Sequence, residues 1–250
     1  MSKISKDKIS TIIPEEIEKF SNIALEWWDK NGKFKPLHQI NPLRVIFVRD
    51  LACEYFNIDP KSKLPFENLK ILDIGCGGGL MSESMAKLGA NIVGLDPSSK
   101  NISIAKSHAK ISKLNIEYIN STIEEYCNIN KEEFDIILNL EAIEHVANPE
   151  EFIKSSNICL KKGGIMCIST INRNPKSFLM AIIGAEYILR WLPIGTHDWK
   201  KFFKPSEIIS FANNNKLKFL KSKGFEFNII KNNWHLTDNL DVNYISAFNK

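Results

Sequence analysis

From Lys70 onward the chain alternates short apolar runs with amphipathic stretches, and that alternation leaves few folds open. The runs 70–74, 91–96, 116–120, 135–140 and 165–170 have the length of strands, while 80–88, 98–113 and 149–160 carry helical spacing. In 80–88, Met81, Met85 and Leu88 fall on one face and Gly89 supplies a stop. Strands that are apolar nearly throughout, each followed by a helix, imply a parallel sheet covered on both faces and joined by right-handed crossovers. The expected class is therefore α/β with a doubly wound, mostly parallel sheet. A helix near 205–213 and two strands near 225–230 and 242–248 would complete it.

The chain divides into an N-terminal helical extension, 1–65, and a sheet domain, 66–250, interrupted by an apolar insertion at 174–204. In the extension, Pro14 followed by Glu15, Glu16 and Glu18 marks a helix start that should run to about Trp28. A second helix should begin after Asn41, with Pro42 in its first turn. The net charge of +4, with basic residues scattered, is a poor footprint for nucleic acid. Five widely spaced cysteines (Cys53, Cys76, Cys127, Cys159, Cys167) form no CxxC pair, so they read as buried thiols in a reducing compartment. With neither a signal-peptide core nor an apolar run of about 20 residues, the expected location is cytoplasmic.

The handover from the first strand to its helix is Asp73-Ile74-Gly75-Cys76-Gly77-Gly78-Gly79. Ligands of such sheets bind at the carboxyl ends of the strands, where this loop lies. Glycines at 75, 77 and 79 allow a tight turn and close approach of a ligand. A dinucleotide fingerprint would need its third glycine where Leu80 stands, which argues against a nucleotide-dependent oxidoreductase. Asp73 is awkward for phosphates and suited to a cationic amino-acid ligand. Asp96 ends the second strand, the position from which a carboxylate accepts ribose hydroxyls.

Leu72-Asp73-Ile74-Gly75-Cys76-Gly77-Gly78-Gly79 together with Gly94-Leu95-Asp96 resembles the class I S-adenosylmethionine methyltransferases. Trp27-Trp28-Asp29, Ile40-Asn41-Pro42-Leu43-Arg44, Asn172-Arg173-Asn174, Gly195-Thr196-His197-Asp198 and Asp241-Val242-Asn243-Tyr244 narrow the resemblance to the bacterial ubiquinone-biosynthesis O-methyltransferases. It runs from about Glu15 to the C-terminus and is weakest after Lys216. It implies a Rossmann-like sheet of seven strands, S-adenosyl-L-methionine as cofactor, and methylation of ring hydroxyls on polyprenylated phenols or catechols. Arg44 would clasp the carboxylate of the cofactor, and Gly75, Asp96 and Leu140 would line its pocket. An assembly of ubiquinone-pathway enzymes is a further implied partner.

Glu141, Glu144 and His145 follow the fourth strand. On a helical turn their spacing would put all three on one face, a donor set suited to Mg²⁺. Related eukaryotic enzymes of the pathway are thought to hold a divalent metal at matching positions. The same residues also fit His145 acting alone as a general base, with both glutamates solvated. A phenol with a pKa of about 10 needs activation at neutral pH, by such a base or by a metal.

The segment 177–192 is uncharged over its first half and rich in large apolar side chains, with Lys176, Arg190 and Lys204 nearby. That pattern fits a segment lying in the headgroup region of a membrane, and equally a lid over its own domain. A polyprenyl substrate favours the first reading and places the enzyme peripherally on the inner membrane surface. A soluble small phenol as substrate, or a non-catalytic RNA-binding module on the same fold, are the competing readings.

Overall fold

The computed structural model describes residues 11–178, 198–228 and 233–250. Helices α1 (Pro14–Asn22) and α2 (Lys35–Tyr55) precede β1 (Lys70–Ile74). There follow α3 (Leu80–Lys87), β2 (Asn91–Asp96), α4 (Ser99–Ile111), β3 (Glu117–Asn120), the short α5 (Ile123–Tyr126), β4 (Phe134–Leu140), α6 (Pro149–Cys159) and β5 (Leu160–Ile171). The one-turn α7 (Pro175–Ser177), α8 (Pro205–Asn214), β6 (Lys218–Asn228), β7 (Asn233–Thr237) and β8 (Asn243–Asn249) are the remaining described α-helices and strands. The sheet runs in the order β3-β2-β1-β4-β5-β8-β6-β7. Strands β1 to β5 are parallel, and β8, β6 and β7 are added antiparallel at the far edge. The doubly wound, mostly parallel sheet is therefore present, with eight strands among the described residues rather than the expected seven.

The two-residue alternation of a strand divides the core into two layers. Ile71, Ile92, Ile136, Leu138 and Ile165 face α2 and α3, meeting Phe47, Val48, Met81 and Met85. Leu72, Val93, Leu95, Ile137 and Met166 face the other way and meet Phe152, Ile153, Ile208 and Ala212. Helix α2 is thus part of the central core, although it precedes the first strand. All five cysteines are free and buried, as expected. No helix among the described residues is long and apolar enough to cross a membrane.

Two boundaries in the extension differ from the sequence expectation. Helix α2 starts at Lys35, so Pro42 lies inside it rather than in its first turn. The ring removes one amide donor, which the rest of a 21-residue helix packed on the sheet can absorb. Helix α1 ends at Asn22, short of Trp28, and a 3-10 turn (Ala24–Glu26) bends the chain so that Trp27 and Trp28 reach the glycine loop.

Candidate active site

The glycine loop is held by the two strands beside it. The amides of Gly75 and Cys76 both donate to the carbonyl of Leu95 (2.8 and 2.9 Å), and that of Gly77 donates to Asp96 Oδ2 (3.0 Å). Gly79 opens α3 with φ 89°, and a Cβ there would stand 2.2 Å from the Tyr118 hydroxyl. A Cβ at Gly77 would come within 2.3 Å of the Trp27 ring. Trp27 lies over the loop, stacks on Phe34 and donates to Asn101 Oδ1 (3.0 Å). Trp28 donates to the carbonyl of Gly78 (3.0 Å) and stacks on His108, which is bonded to the buried Glu83 (2.6 Å). The tandem tryptophans clamp the loop from outside, a task that their distance in sequence from the loop did not disclose.

Two buried carboxylates mark the ends of β1 and β2. Asp73 accepts from the Ser82 hydroxyl (2.6 Å), and burial pushes its pKa up to about 6. Asp96 accepts from the amides of Gly77 and Ser98 and from Asn101 Nδ2 at 2.8–3.1 Å. A carboxylate has roughly four acceptor positions, so one is left for a ligand hydroxyl. Burial raises the Asp96 pKa, while these three donors oppose the rise.

Beyond β4 the chain departs from a helical turn. Glu141 takes a left-handed backbone (φ 53°), and Ile143–His145 form a 3-10 turn. The three residues whose spacing suggested a metal site therefore have separate partners. Glu141 Oε1 accepts from Arg44 Nη2 and from the Ser169 hydroxyl, both at 2.8 Å. Glu144 is buried and accepts from the Thr170 hydroxyl (3.0 Å). Burial, and then the neighbouring charge of Glu141, hold its pKa well above the usual carboxylate range, favouring the neutral acid. His145 Nδ1 lies 3.0 Å from Glu16 Oε2. Among the described residues no group of three or more His, Cys, Asp or Glu side chains could hold a metal ion. As placed here, Glu141, Glu144 and His145 do not gather into one such donor group. One member is paired with arginine, one favours its protonated form and one is turned to a carboxylate on another helix.

Arg44 is buried on α2, and its Nε is a buried donor with no acceptor among the described residues. Arg44, Asp73, Gly75, Gly77, Asp96, Leu140, Glu141, Glu144 and His145 all line one cavity of about 1180 Å³. Gly79 stands behind it, against Tyr118. The volume exceeds the usual range of about 300–1,000 Å³ for small-molecule sites and leaves room for two reactants. Apolar side chains of α1 and α2 (Ile17, Phe20, Leu37, Ile40) and the β6–β7 edge (Phe225, Trp234) form much of the remaining wall.

The cradle fits the cofactor implied by the sequence. The glycine amides and Asp96 suit an adenosine, Asp73 suits an ammonium group, and the unspent Arg44 donor suits a carboxylate. A parallel sheet with that site at its carboxyl edge defines a class: the S-adenosylmethionine-dependent methyltransferases. The methyltransferase domain family matches residues 72–168. A ubiquinone biosynthesis O-methyltransferase of Pelagibacter ubique (strain HTCC1062) is 52% identical over 242 residues, covering 97% of this chain and 100% of that protein. That of Bartonella quintana (strain Toulouse) is 51% identical, covering 94% of this chain and 95% of that protein. The chain belongs to the ubiquinone biosynthesis O-methyltransferase family.

Among solved structures, magnesium protoporphyrin IX methyltransferase from Synechocystis with bound SAH superposes with a TM-score of 0.65 at 16% identity, covering 95% of this chain and 99% of that chain. That likeness concerns the fold. Sequence reasoning missed Glu16, which lines the cavity, and Tyr118, Ser169 and Thr170, which stand behind it against Gly79, Glu141 and Glu144. In the sequence Glu16 is simply an acid in a helix first turn, and nothing local ties it to His145.

Proposed function

We propose that the chain transfers a methyl group from S-adenosylmethionine to a phenolic oxygen of a polyprenylated ubiquinone precursor, with His145 as the general base. The observation that carries this reading is one cavity lined by Asp73 and Asp96 at the strand ends, His145 beyond them and apolar side chains opposite. When bound, S-adenosylmethionine supplies an electrophilic methyl group on a sulfonium centre. Asp96 and the glycine loop hold the adenosine end, Asp73 and Arg44 hold the amino-acid end, and Leu140 gives apolar contact beside them. His145 accepts the phenolic proton, so the oxygen becomes an effective nucleophile near neutral pH. The large apolar wall keeps water away and holds the two reactants aligned, a contribution that can be large when reacting atoms are pre-positioned. No step is assigned to a metal, because Glu141 and Glu144 are committed to Arg44, Ser169 and Thr170.

The prenyl tail favours a membrane-bound acceptor, and we assign the segment 177–192 to attachment at the inner membrane surface, with pathway enzymes as further partners. All of it but Ser177 and Phe178 lies outside the described residues; Phe178 is 43% exposed and meets Trp199 edge-on. The test compares a long-chain prenylated catechol in anionic liposomes with a soluble short-chain catechol, each with and without excess chelator. The long-chain acceptor should turn over faster at equal concentration only with the vesicles present, and the chelator should leave both rates within about twofold, because no step is routed through a metal. Equal turnover of both acceptors with or without vesicles would assign the enzyme to soluble phenols. Loss of activity in chelator, restored by Mg²⁺, would bring the metal back.

A further inference from the structure

Glu16 lies in the first turn of α1, 129 residues from His145 in sequence. The two carboxylate oxygens are used separately: Oε2 faces His145 Nδ1 at 3.0 Å, and Oε1 accepts from Lys201 Nζ at 2.6 Å. The neighbourhood holds that geometry from several sides. Phe20, one turn further along α1, meets the imidazole edge-on at 4.9 Å and 80°. Just before α1, Ile12 bridges to Val146, and the Thr11 carbonyl accepts from the Ala147 amide (2.8 Å). The backbone preceding α1 is thus stapled to the residues directly after His145. A first-turn acid needs no partner beyond its own helix, so this arrangement asks for a further explanation.

We infer that Glu16 is the positioning residue of the methyl transfer: its carboxylate accepts the Nδ1–H of His145 and leaves Nε2 as the proton acceptor. The inference rests on the reading of His145 as the base. A neutral imidazole carries one N–H, and the partner of one nitrogen decides which nitrogen is free to accept. Without that partner the ring can turn about its side-chain bonds and adopt the other tautomer, with Nε2 protonated and useless as a base. During transfer the phenolic proton passes to Nε2 and Nδ1 keeps its own, so the imidazolium is stabilised by the adjacent carboxylate. Glu16 does not take the proton itself. The bond to His145, with Lys201 adding to it, lowers its pKa to about 2.

The experiment compares Glu16→Gln, Glu16→Asp, Lys201→Gln, His145→Ala and the double variant Glu16→Gln/His145→Ala in the full chain. Turnover is read with labelled S-adenosylmethionine and a soluble catechol, and cofactor affinity by calorimetry. Glu16→Gln should lower kcat by about 10- to 100-fold with the KM for the catechol and the cofactor Kd little changed, because the carboxylate acts through the base. Glu16→Asp should recover part of that loss, and should show it even where Glu16→Gln folds poorly. Lys201→Gln should stay within about threefold of wild type, since it leaves the bond to His145 in place, and the double variant should be no slower than His145→Ala alone. Wild-type kcat in Glu16→Gln, a Lys201→Gln loss equal to that of Glu16→Gln, or a further loss in the double variant would each overturn the inference. Undiminished kcat in His145→Ala would instead remove the base reading on which it rests.

Discussion

His145→Ala lowers kcat by about 10²–10⁴-fold and leaves S-adenosylmethionine affinity within about twofold, the range expected of a positioned general base. The imidazole lies beyond the cofactor cradle, on the 3-10 turn after β4, and none of its described bonds reaches Asp73, Asp96 or the glycine loop. Losing it should therefore act on the chemical step. A small cost in stability is also expected. The Phe20 edge contact disappears, and Glu16 keeps Lys201 as its remaining partner. Rapid-quench kinetics with prebound cofactor separates the chemical step from binding. A variant whose single-turnover rate matches wild type would show that another group takes the proton.

Asp96→Ala weakens S-adenosylmethionine binding by about 1–3 kcal/mol, or roughly 5- to 150-fold. Two losses combine. The ligand loses a charged acceptor for its ribose, and the loop loses the carboxylate that holds Gly77, Ser98 and Asn101 together. The amides of Gly77 and Ser98 would then be buried donors without that acceptor, which also costs stability. The midpoint of thermal unfolding should therefore fall even without ligand, and the stabilisation that cofactor gives wild type should shrink. Calorimetry and melting curves on Asp96→Ala and Asp96→Asn, side by side, check both parts. Asparagine keeps an acceptor oxygen for the loop and lacks the charge, so it should restore much of the melting point and little of the affinity. Wild-type affinity in a folded Asp96→Ala would remove the ribose role.

What the sequence disclosed and what it concealed follows from how local each signal is. Strands β1, β2 and β4 are nearly unbroken apolar runs, and Gly75, Gly77 and Gly79 occur where a strand turns into a helix, so neighbouring residues alone mark the sheet edge and its cradle. Asp73 and Asp96 were legible for the same reason. The residues after β4 were not, because their spacing was read on a helix while Glu141 adopts a left-handed backbone and bonds Arg44. Strand β7 went unnoticed because Asn233–Thr237 is a short edge strand whose apolar residues, Trp234 and Leu236, alternate with polar ones. Pro42 misplaced the start of α2, since a proline inside a helix looks in sequence like one at its beginning. Glu16 and the clamping tryptophans depend on contacts that only the closed fold creates.

A single site that brings S-adenosylmethionine and a phenolic oxygen together beside His145 should leave the methyl group on that oxygen. Incubation of the enzyme with cofactor labelled with ¹³C in its methyl group and a prenylated catechol, followed by ¹³C NMR of the product, tests it most directly. A single new methoxy carbon on a ring oxygen, formed mole for mole with S-adenosylhomocysteine, is the expected result. Label on a ring carbon, or cofactor consumed with no methyl group on the catechol, would contradict it.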